Sequence, residues 1–190
     1  LKLLPENGQL KSGKIFFKDK NLVPLSEEEM RSVRWKGISM IFQSAMNSLN
    51  PVYTLGEQIM EAIREHEDIP EKKGKGRIRE LFNLVGLEQD VIDQYPHECS
   101  GGMKQRAVIA MALSCEPDLI IADEPTTALD VIVQDKILEE IDTIRQDLNM
   151  AMIYISHDIA VIAEVANKIG IMYAGRLVEM AKSVEIFENP

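Results

Sequence analysis

The chain alternates between short apolar runs and longer segments in which apolar residues recur with helical spacing. The apolar runs predict strands over 14–17 (KIFF), 38–42 (ISMIF), 119–122 (LIIA), 151–156 (AMIYIS) and 169–174 (IGIMYA). Residues 131–148 carry isoleucine or leucine at 137, 141, 144 and 148, which predicts an amphipathic helix. Strands that alternate with helices predict an α/β fold with a largely parallel sheet covered on both faces.

Short-range signals place the ends of other elements. Ser26 with Glu29, and Thr54 with Glu57, have the spacing of capping boxes. Together with the apolar spacing, these signals predict helices over 27–34, 55–66 and 159–168. A Gly-Arg turn after the last predicted strand indicates a hairpin with the segment 177–180.

Residues 50–98 have the composition of a helical insert within the α/β chain. The stretch EKKGKGR (71–77) predicts a solvated break, and 78–87 predicts a helix that ends near Gly86. The run AVIAMAL (107–113) is apolar on all sides and predicts a buried helix. The segment 50–98 is therefore expected to be a helical insert in an otherwise α/β chain.

Composition narrows the class of protein. The chain has 190 residues and a net charge of −10, which argues against a nucleic-acid binder held by phosphate contacts. The same charge is compatible with a nucleotide ligand, because Mg²⁺ and backbone amides can neutralise phosphates locally. No apolar run approaches the ~20 residues that span a bilayer, and no signal-peptide pattern is present. Cys99 and Cys115 have no metal-ligand spacing, which fits a reducing compartment.

The segment LIIADEP (119–125) is the strongest chemical signal. A fully apolar strand delivers two acids at its C-terminal end, where open α/β sheets bind ligands. We assign Asp123 to a Mg²⁺ ion, which prefers hard oxygen ligands, and Glu124 to the general base that polarises water for attack on a phosphoryl group. The alternative is a plain turn whose acids are merely exposed.

A second signal is SGGMKQR (100–106), which opens the predicted buried helix. Gly101 and Gly102 allow backbone N–H groups to approach an anion, and the helix N-terminus favours negative charge. Ser100 adds a hydroxyl donor. The alternative is an ordinary helix N-cap by Ser100.

Two single residues follow predicted strands. His157 comes after 151–156, in the same topological place as Asp123, where an imidazole can reach a phosphate. Gln43 follows 38–42 and can orient water and join a Mg²⁺ shell. The alternatives are a surface histidine near a helix start and a solvated loop glutamine.

One apparent phosphate loop is rejected. Gly8, Gly13 and Lys14 match G-x-x-x-x-G-K, but Ile15 stands where the motif needs Ser or Thr. The segment also leads into a predicted strand, whereas the motif requires strand, loop and helix in that order.

The signals, taken together and in this order, resemble those of the ATP-binding subunits of ABC transporters. Gln43 is similar to the Q-loop, SGGMKQR to the signature motif, LIIADE to Walker B, TALD (127–130) to the D-loop and His157 to the switch histidine. The phrases ISMIFQSAMNSLNP, YPHECSGGMKQR, IADEPTTALDV and IMYAGRLVE resemble the oligopeptide and dipeptide import branch, of which Met103 is also typical.

The resemblance implies an incomplete P-loop NTPase core formed by 1–49 and 116–190, with an inserted α-helical subdomain over 50–115 that carries the signature motif. It also implies ATP and Mg²⁺ as cofactors. In the family, two such subunits sandwich two ATP molecules, so Ser100, Gly101, Gly102 and Met103 would contact the nucleotide of the opposite subunit, with Asp130 communicating across the interface. Gln43 would also join the metal shell. The loop 44–51 would receive a transmembrane permease subunit at the cytoplasmic face of the membrane, and an extracellular solute-binding protein would be an indirect partner.

Two departures from the family pattern matter. Cys99 stands where the family has Leu, with little expected effect. The family's Walker A loop lies just before the segment where this chain begins, so we expect an N-terminally truncated chain that is inactive alone, although the full-length protein is an ATPase. The alternatives are a soluble ABC-type ATPase of DNA repair or translation and a fragment without function.

Overall fold

The structure is a computed structural model that describes residues 3–4, 8–126 and 129–188. In those ranges the α-helices are α1 (Glu27–Val33), α2 (Leu55–His66), α3 (Glu71–Leu84), α4 (Gly101–Leu113), α5 (Val131–Asp147), α6 (Ile159–Val165) and α7 (Ser183–Glu188). The strands are β1 (Phe16–Phe17), β2 (Lys20–Asn21), β3 (Ile38–Ile41), β4 (Leu119–Asp123), β5 (Ala151–Ile155), β6 (Lys168–Tyr173) and β7 (Arg176–Lys182). Short 3₁₀ helices cover Ala45–Ser48, Gln89–Asp93 and Pro96–Glu98.

Both predicted capping boxes are present. The backbone N–H of Glu29 donates to Ser26 Oγ at 3.2 Å, and the N–H of Ser26 donates to Glu29 Oε2 at 2.7 Å. Thr54 and Glu57 exchange the same pair of bonds at 3.2 and 2.8 Å. These reciprocal bonds satisfy N–H groups that have no partner within the helix, and they fix where α1 and α2 begin.

The predicted solvated break over 71–77 is wrong, because α3 already begins at Glu71. The Nζ of Lys75 lies 2.7 Å from Glu71 Oε1 one turn earlier, which supports the first turn of the helix. Gly74 is buried, and a Cβ placed there would lie 2.7 Å from Met60 Sδ, so this glycine permits close packing of α3 on α2. Packing and the ion pair outweigh the weak helix propensity of the glycines.

The predicted stop near Gly86 is confirmed. Gly86 has φ +65°, in the left-handed region that favours glycine. The N–H of Leu87 donates to the carbonyl of Phe82 at 2.8 Å across this turn. Such a bond is typical of a glycine-terminated helix and satisfies a carbonyl in the last turn of α3.

The central sheet is parallel, as predicted, with the strand order β3-β4-β5. Ile38 pairs with Leu119, and Leu119 pairs with Ala151, so the three strands start at nearly the same level. Their carboxyl ends consequently meet at one edge of the sheet.

The prediction of a buried strand covered on both faces is wrong for β5. Met152 and Tyr154 pack against the main core, whereas Ile153 and Ile155 on the other face are half-exposed. Within the described residues, β5 pairs with β4 on one side alone. An apolar run therefore marked a strand correctly but did not reveal that one of its faces is open.

The predicted C-terminal hairpin is confirmed as β6 and β7, which pair antiparallel. Ala174 and Gly175 at the turn both have positive φ, as a tight two-residue hairpin turn requires. The helix predicted over 159–168 is shorter than expected. It ends at Val165 because Ala166 is extended and the chain enters β6 at Lys168.

The hydrophobic core lies on both sides of the sheet. The larger part packs α2, α3, α4 and α5 against Ile41, Ile120 and Ala122, and it contains most of α4, as the all-apolar run predicted. The smaller part packs α1 and the β1–β2 region against Ile38. None of the helices that the structure describes is both long and apolar enough to cross a membrane.

Candidate functional site

The three parallel strands bring the predicted site residues to one edge of the sheet. Gln43 lies two residues after the end of β3, Asp123 is the last residue of β4, and His157 lies two residues after the end of β5. Ligands in open parallel sheets bind outside the carboxyl ends of the strands. Segments as distant as residues 43, 123 and 157 thus contribute to one site.

The carboxylate of Glu124 is the centre of this site. Gln43 Nε2 donates to Glu124 Oε2 at 2.7 Å, and His157 Nδ1 lies 2.6 Å from Glu124 Oε1. The Glu124 side chain is 19% exposed and the His157 side chain is 82% exposed. The glutamate is therefore held from both neighbouring strands, while the imidazole remains open to an incoming ligand.

The backbone at Glu124 is in an unusual conformation. Its φ is +47°, in the left-handed region that a residue with a side chain rarely adopts, and its N–H donates to the carbonyl of Ile155 at 2.9 Å. Such a conformation costs of order 1–3 kcal/mol and persists where the surroundings enforce it, most often at functional sites. This strain argues against a plain exposed turn.

The charge of Glu124 affects its histidine neighbour. The hydrogen bond and the nearby negative charge of Glu124 raise the pKa of His157 above its ordinary value of 6.5. A larger fraction of the imidazole is protonated near neutral pH than in an isolated histidine. A protonated imidazole at a strand end can contact a phosphate oxygen.

The oxygen atoms near the strand ends suit a hard cation. Asp123 contributes a carboxylate, and Gln43 uses its Nε2 for Glu124, which leaves its Oε1 as the atom for a cation shell. Among the described residues, no three His, Cys, Asp or Glu side chains are close enough to hold a metal by themselves. Proteins bind Mg²⁺ through one or two carboxylates together with substrate phosphates and water, so Asp123 and Gln43 are the residues at this edge that could hold it.

Ser100 and the residues after it form the start of α4. Ser100 Oγ accepts from the backbone N–H of Met103 at 3.3 Å, so the serine is the N-cap of the helix. This bond agrees with the ordinary capping interpretation, and it also leaves the first N–H groups of α4 at an exposed helix N-terminus.

The glycines of α4 lie against the 3₁₀ helix Ala45–Ser48 and against the start of α5 with the residue before its N-cap. A Cβ on Gly102 would lie 3.1 Å from Val133 Cγ1, and one on Gly101 would lie 3.7 Å from Leu129 Cδ2 and 3.9 Å from Met46 Sδ. Met46, Leu129 and Val133 were missed by sequence reasoning. Their segments are distant in sequence, and no motif marks a small-residue contact of this kind.

Asp130 is the N-cap of α5, with Oδ1 accepting from the N–H of Val133 at 3.0 Å. Of the segment 127–130, residues 127 and 128 lie outside the described residues. The structure therefore places Asp130 beside the start of α5, in the same region as the contacts of Gly101 and Gly102.

Comparison with known proteins identifies the family. The model of the ABC transporter family matches residues 1–127, which is most of the chain. The chain belongs to the ABC transporter family.

Two curated relatives show which members of the family the chain resembles. The chain is 49% identical over 193 residues to the oligopeptide transport ATP-binding protein OppD of Bacillus subtilis (strain 168), covering 100% of this chain and 54% of the relative. It is 45% identical over 190 residues to the dipeptide transport ATP-binding protein DppD of Escherichia coli (strain K12), covering 99% and 58%. The chain thus spans little more than half the length of these relatives.

Solved structures support the fold. The ATP-binding cassette MJ0796, in a dimeric post-hydrolysis state bound to ADP and Pi, superimposes with a TM-score of 0.79 at 26% identity, covering 91% of this chain and 74% of that one. The protein cbiO1 of Clostridium perfringens, part of an ABC transporter complex, has a TM-score of 0.84 at 24% identity, covering 94% and 69%. The predicted fold class, an ABC ATPase core with a parallel sheet, is confirmed.

Proposed function

We propose that this chain is part of an ATP-binding and ATP-hydrolysing subunit that energises the import of peptides, or of related small solutes, through an ABC transporter. The observation that carries the proposal is the Glu124 carboxylate, which is held by Gln43 at 2.7 Å and His157 at 2.6 Å at the carboxyl edge of a parallel sheet. Groups from two neighbouring strand ends meet around one carboxylate at the end of the third strand, an arrangement that suits hydrolysis of a bound nucleotide.

In this proposal Glu124 is the general base. A carboxylate at the strand end accepts a proton from water as the water attacks the γ-phosphoryl group, while the bond from the γ-phosphorus to the bridging oxygen breaks and ADP leaves. Fixed partners hold the carboxylate in the reactive orientation. His157 lies next to it and, when protonated, contacts a phosphate oxygen on which charge accumulates. Gln43 orients both the carboxylate and water.

Mg²⁺ is the proposed metal, with Asp123 and the Oε1 of Gln43 as its protein ligands. When bound, Mg²⁺ neutralises charge on the β- and γ-phosphate oxygens. The donor set fits, since both protein atoms are hard oxygens and the Nε2 of Gln43 is already directed to Glu124.

A second ATP-binding subunit, identical or homologous, is the proposed partner for α4. Ser100, Gly101, Gly102 and Met103 would contact the nucleotide held by the opposite subunit, through the N-terminal N–H groups of α4. Asp130 would carry the signal across the interface. The MJ0796 cassette is described as dimeric, which supports such an arrangement.

Transmembrane permease subunits are the other proposed partners. The loop 44–51 and the nearby helical surface would receive them, which places the protein peripherally at the cytoplasmic face of the membrane. An extracellular solute-binding protein would be an indirect partner. The net charge of −10 gives no support for a nucleic-acid partner.

Peptides are the proposed cargo class, because the relatives named above are oligopeptide and dipeptide transport subunits. The same names give no support to a role in DNA repair or translation. Which peptide is transported would be set mostly by the other subunits.

The test is ATP hydrolysis by the full-length gene product, alone and with its permease. Glu124→Gln keeps the side-chain size but removes the base, so we expect turnover to fall at least ~100-fold while MgATP still binds, in line with typical general-base contributions. Glu71→Gln on the distant, exposed start of α3 is the matched control and should turn over normally. Normal turnover in Glu124→Gln would remove the base from this role, and an inactive parent protein would overturn the proposed function.

A further inference from the structure

Arg106 connects α4 with the end of α3 and with α5, and α4 and α5 both begin at residues of the proposed interface. It lies on α4, and its Nη1 donates to the backbone carbonyl of Val85 at 2.6 Å. The same Nη1 lies 2.5 Å from Glu140 Oε2 on α5. The Arg106 side chain is 16% exposed and that of Glu140 is 36% exposed, so the pair is partly shielded from water.

The contact with Val85 closes the end of α3. Val85 is the C-cap residue of α3, and carbonyls at a helix C-terminus lack intrahelical partners and attract cations. A Cβ at Gly86 would lie 2.6 Å from Arg106 Nη1, so only glycine allows the guanidinium to approach this closely. The absence of a side chain at Gly86 thus leaves the space that the Arg106 guanidinium occupies.

The contact with Glu140 aligns α4 with α5. Near their N-termini the two helices touch where Gly102 approaches Val133, at 3.1 Å for an added Cβ. From these positions the ion pair lies one turn further along α4 and about two turns further along α5. Two contacts at separate levels fix both the distance and the relative sliding of the helices.

The aligned helices begin with residues of the proposed site. Ser100 is the N-cap of α4, and Asp130 is the N-cap of α5. A shift of α4 along α5 would therefore change the position of Ser100 relative to Asp130. Both residues belong to the surface that the proposed function turns towards a second subunit.

We propose that Arg106 and Glu140 are a positioning pair, which holds the N-termini of α4 and α5 in one register so that both meet the second subunit together. This inference rests on the proposed function, because it concerns the ATP-dependent encounter of two subunits. The pair touches no nucleotide; it acts through the placement of Ser100 and Asp130.

The experiment uses full-length protein carrying Glu124→Gln, in which MgATP is bound but not hydrolysed. Glu140→Leu removes charge and hydrogen bonding, and Glu140→Gln keeps an acceptor oxygen. Asp142→Leu and Asp142→Asn are matched controls, because Asp142 lies on the same helix, is equally exposed at 36%, and pairs with Arg145 and Gln146 within α5. Glu140 is partly exposed, so these variants are expected to fold, and thermal melting checks this.

The readouts are the MgATP concentration for half-maximal dimer formation, by light scattering, and the affinity of the monomer for a fluorescent ATP analogue. We expect Glu140→Leu to raise the MgATP concentration for half-maximal dimer formation about tenfold, and Glu140→Gln to raise it less. A change of this size corresponds to the loss of coupling between two contacting residues. Monomer affinity should change less than about twofold, since the start of α4 would contact the nucleotide of the other subunit and Asp130 would lie at the interface between the subunits. A variant that merely unfolds a fraction of the protein would lower the dimer yield without shifting this midpoint.

Two results would overturn the inference alone. One is a midpoint for Glu140→Leu equal to that of Asp142→Leu; the other is an equal loss of monomer affinity, which would place the effect within one subunit. Arg106→Lys provides an independent check, because lysine keeps the charge but lacks the planar fork, and an unchanged midpoint there would also count against the pair. If the parent neither hydrolyses ATP before the Glu124 change nor dimerises with MgATP after it, the proposed function fails and takes this inference with it.

Discussion

Two histidines show how single residues respond to their surroundings in opposite directions. His157 is exposed beside Glu124, and the hydrogen bond and charge of that glutamate raise its pKa. His66 contacts the Trp35 ring, with centroids 5.7 Å apart, and burial lowers its pKa despite the nearby charge of Glu65. A carboxylate partner therefore dominates at one site and desolvation at the other.

We predict that titration of the two imidazoles by NMR places His157 above 6.5 and His66 below 6.5. Glu124→Gln should return the pKa of His157 towards 6.5 and leave His66 unchanged, and Trp35→Ala should do the reverse. Equal pKa values for both histidines, or a shift of both by one substitution, would contradict the assigned causes.

The signs of these shifts set their pH dependence. Because the folded pKa of His157 is raised, its contribution to stability is complete below 6.5 and is lost as the pH rises through the raised pKa. Because the folded pKa of His66 is lowered, burial of its neutral ring costs no stability above pH 6.5. Stability is lost as the pH falls from 6.5 through the lowered pKa. Glu124→Gln should remove the first dependence from a pH series of melting temperatures.

The convergence of Gln43, Glu124 and His157 was predictable from sequence, since residues after parallel strands share one edge of a sheet. The contacts of Gly101 and Gly102 with Met46, Leu129 and Val133 were not predictable, because glycine packing leaves no periodic signal. The left-handed backbone at Glu124 was also invisible, since the residue type gives no indication of it.

Elements were predicted best where a local rule fixes them. The capping boxes of α1 and α2 and the glycine stop of α3 depend on neighbours in sequence, and all are present. The start of α3 and the exposure of β5 depend on tertiary packing, and both predictions were wrong. The stretch EKKGKGR suggested a solvated break, whereas in the structure Gly74 lets α3 approach α2.

Two glycines in neighbouring helices provide a test of packing against propensity. A Cβ on Gly56 in α2 would lie 2.5 Å from Ile92 Cγ2 and 2.9 Å from the Ile92 carbonyl oxygen. Among the described residues, a Cβ on Gly76 in α3 would have no heavy atom within 4 Å apart from the adjacent backbone of its own helix. We predict that Gly56→Ala destabilises the protein by about 1–3 kcal/mol through overpacking, and that Gly76→Ala stabilises it by about 0.5–1 kcal/mol through helix propensity.

Thermal melting of the two alanine variants measures this difference. A gain of 1 kcal/mol corresponds to roughly 2–4 °C in a chain of this size, so the variants should separate clearly. A melting temperature for Gly56→Ala at or above that of the parent would show that the 3₁₀ helix Gln89–Asp93 yields easily, contrary to the packing argument.

At the scale of the whole molecule, charge and phosphate binding must be reconciled. The chain carries −10, and the side chains at the site are two carboxylates, an amide and an imidazole. This set repels a triphosphate unless Mg²⁺ and further N–H or cationic groups neutralise it. The G-x-x-x-x-G-K match at Gly8, Gly13 and Lys14 offers no such cradle, because it leads into β1 rather than into a helix.

We therefore predict that the 190-residue chain binds MgATP at least ~100-fold more weakly than the full-length protein, or about 2.7 kcal/mol. The physical reason is that acids and an imidazole shape the reacting end of a triphosphate but contribute little net attraction to it. Calorimetry of both proteins at equal Mg²⁺ concentration measures the difference, and Glu124→Gln in the short chain is the control, because removing one negative charge should tighten its weak binding slightly. Micromolar affinity in the 190-residue chain would mean that the described residues supply the phosphate contacts themselves. The helix N-terminus at Ser100, in the same chain rather than in a partner, would then be the first place to look for those contacts.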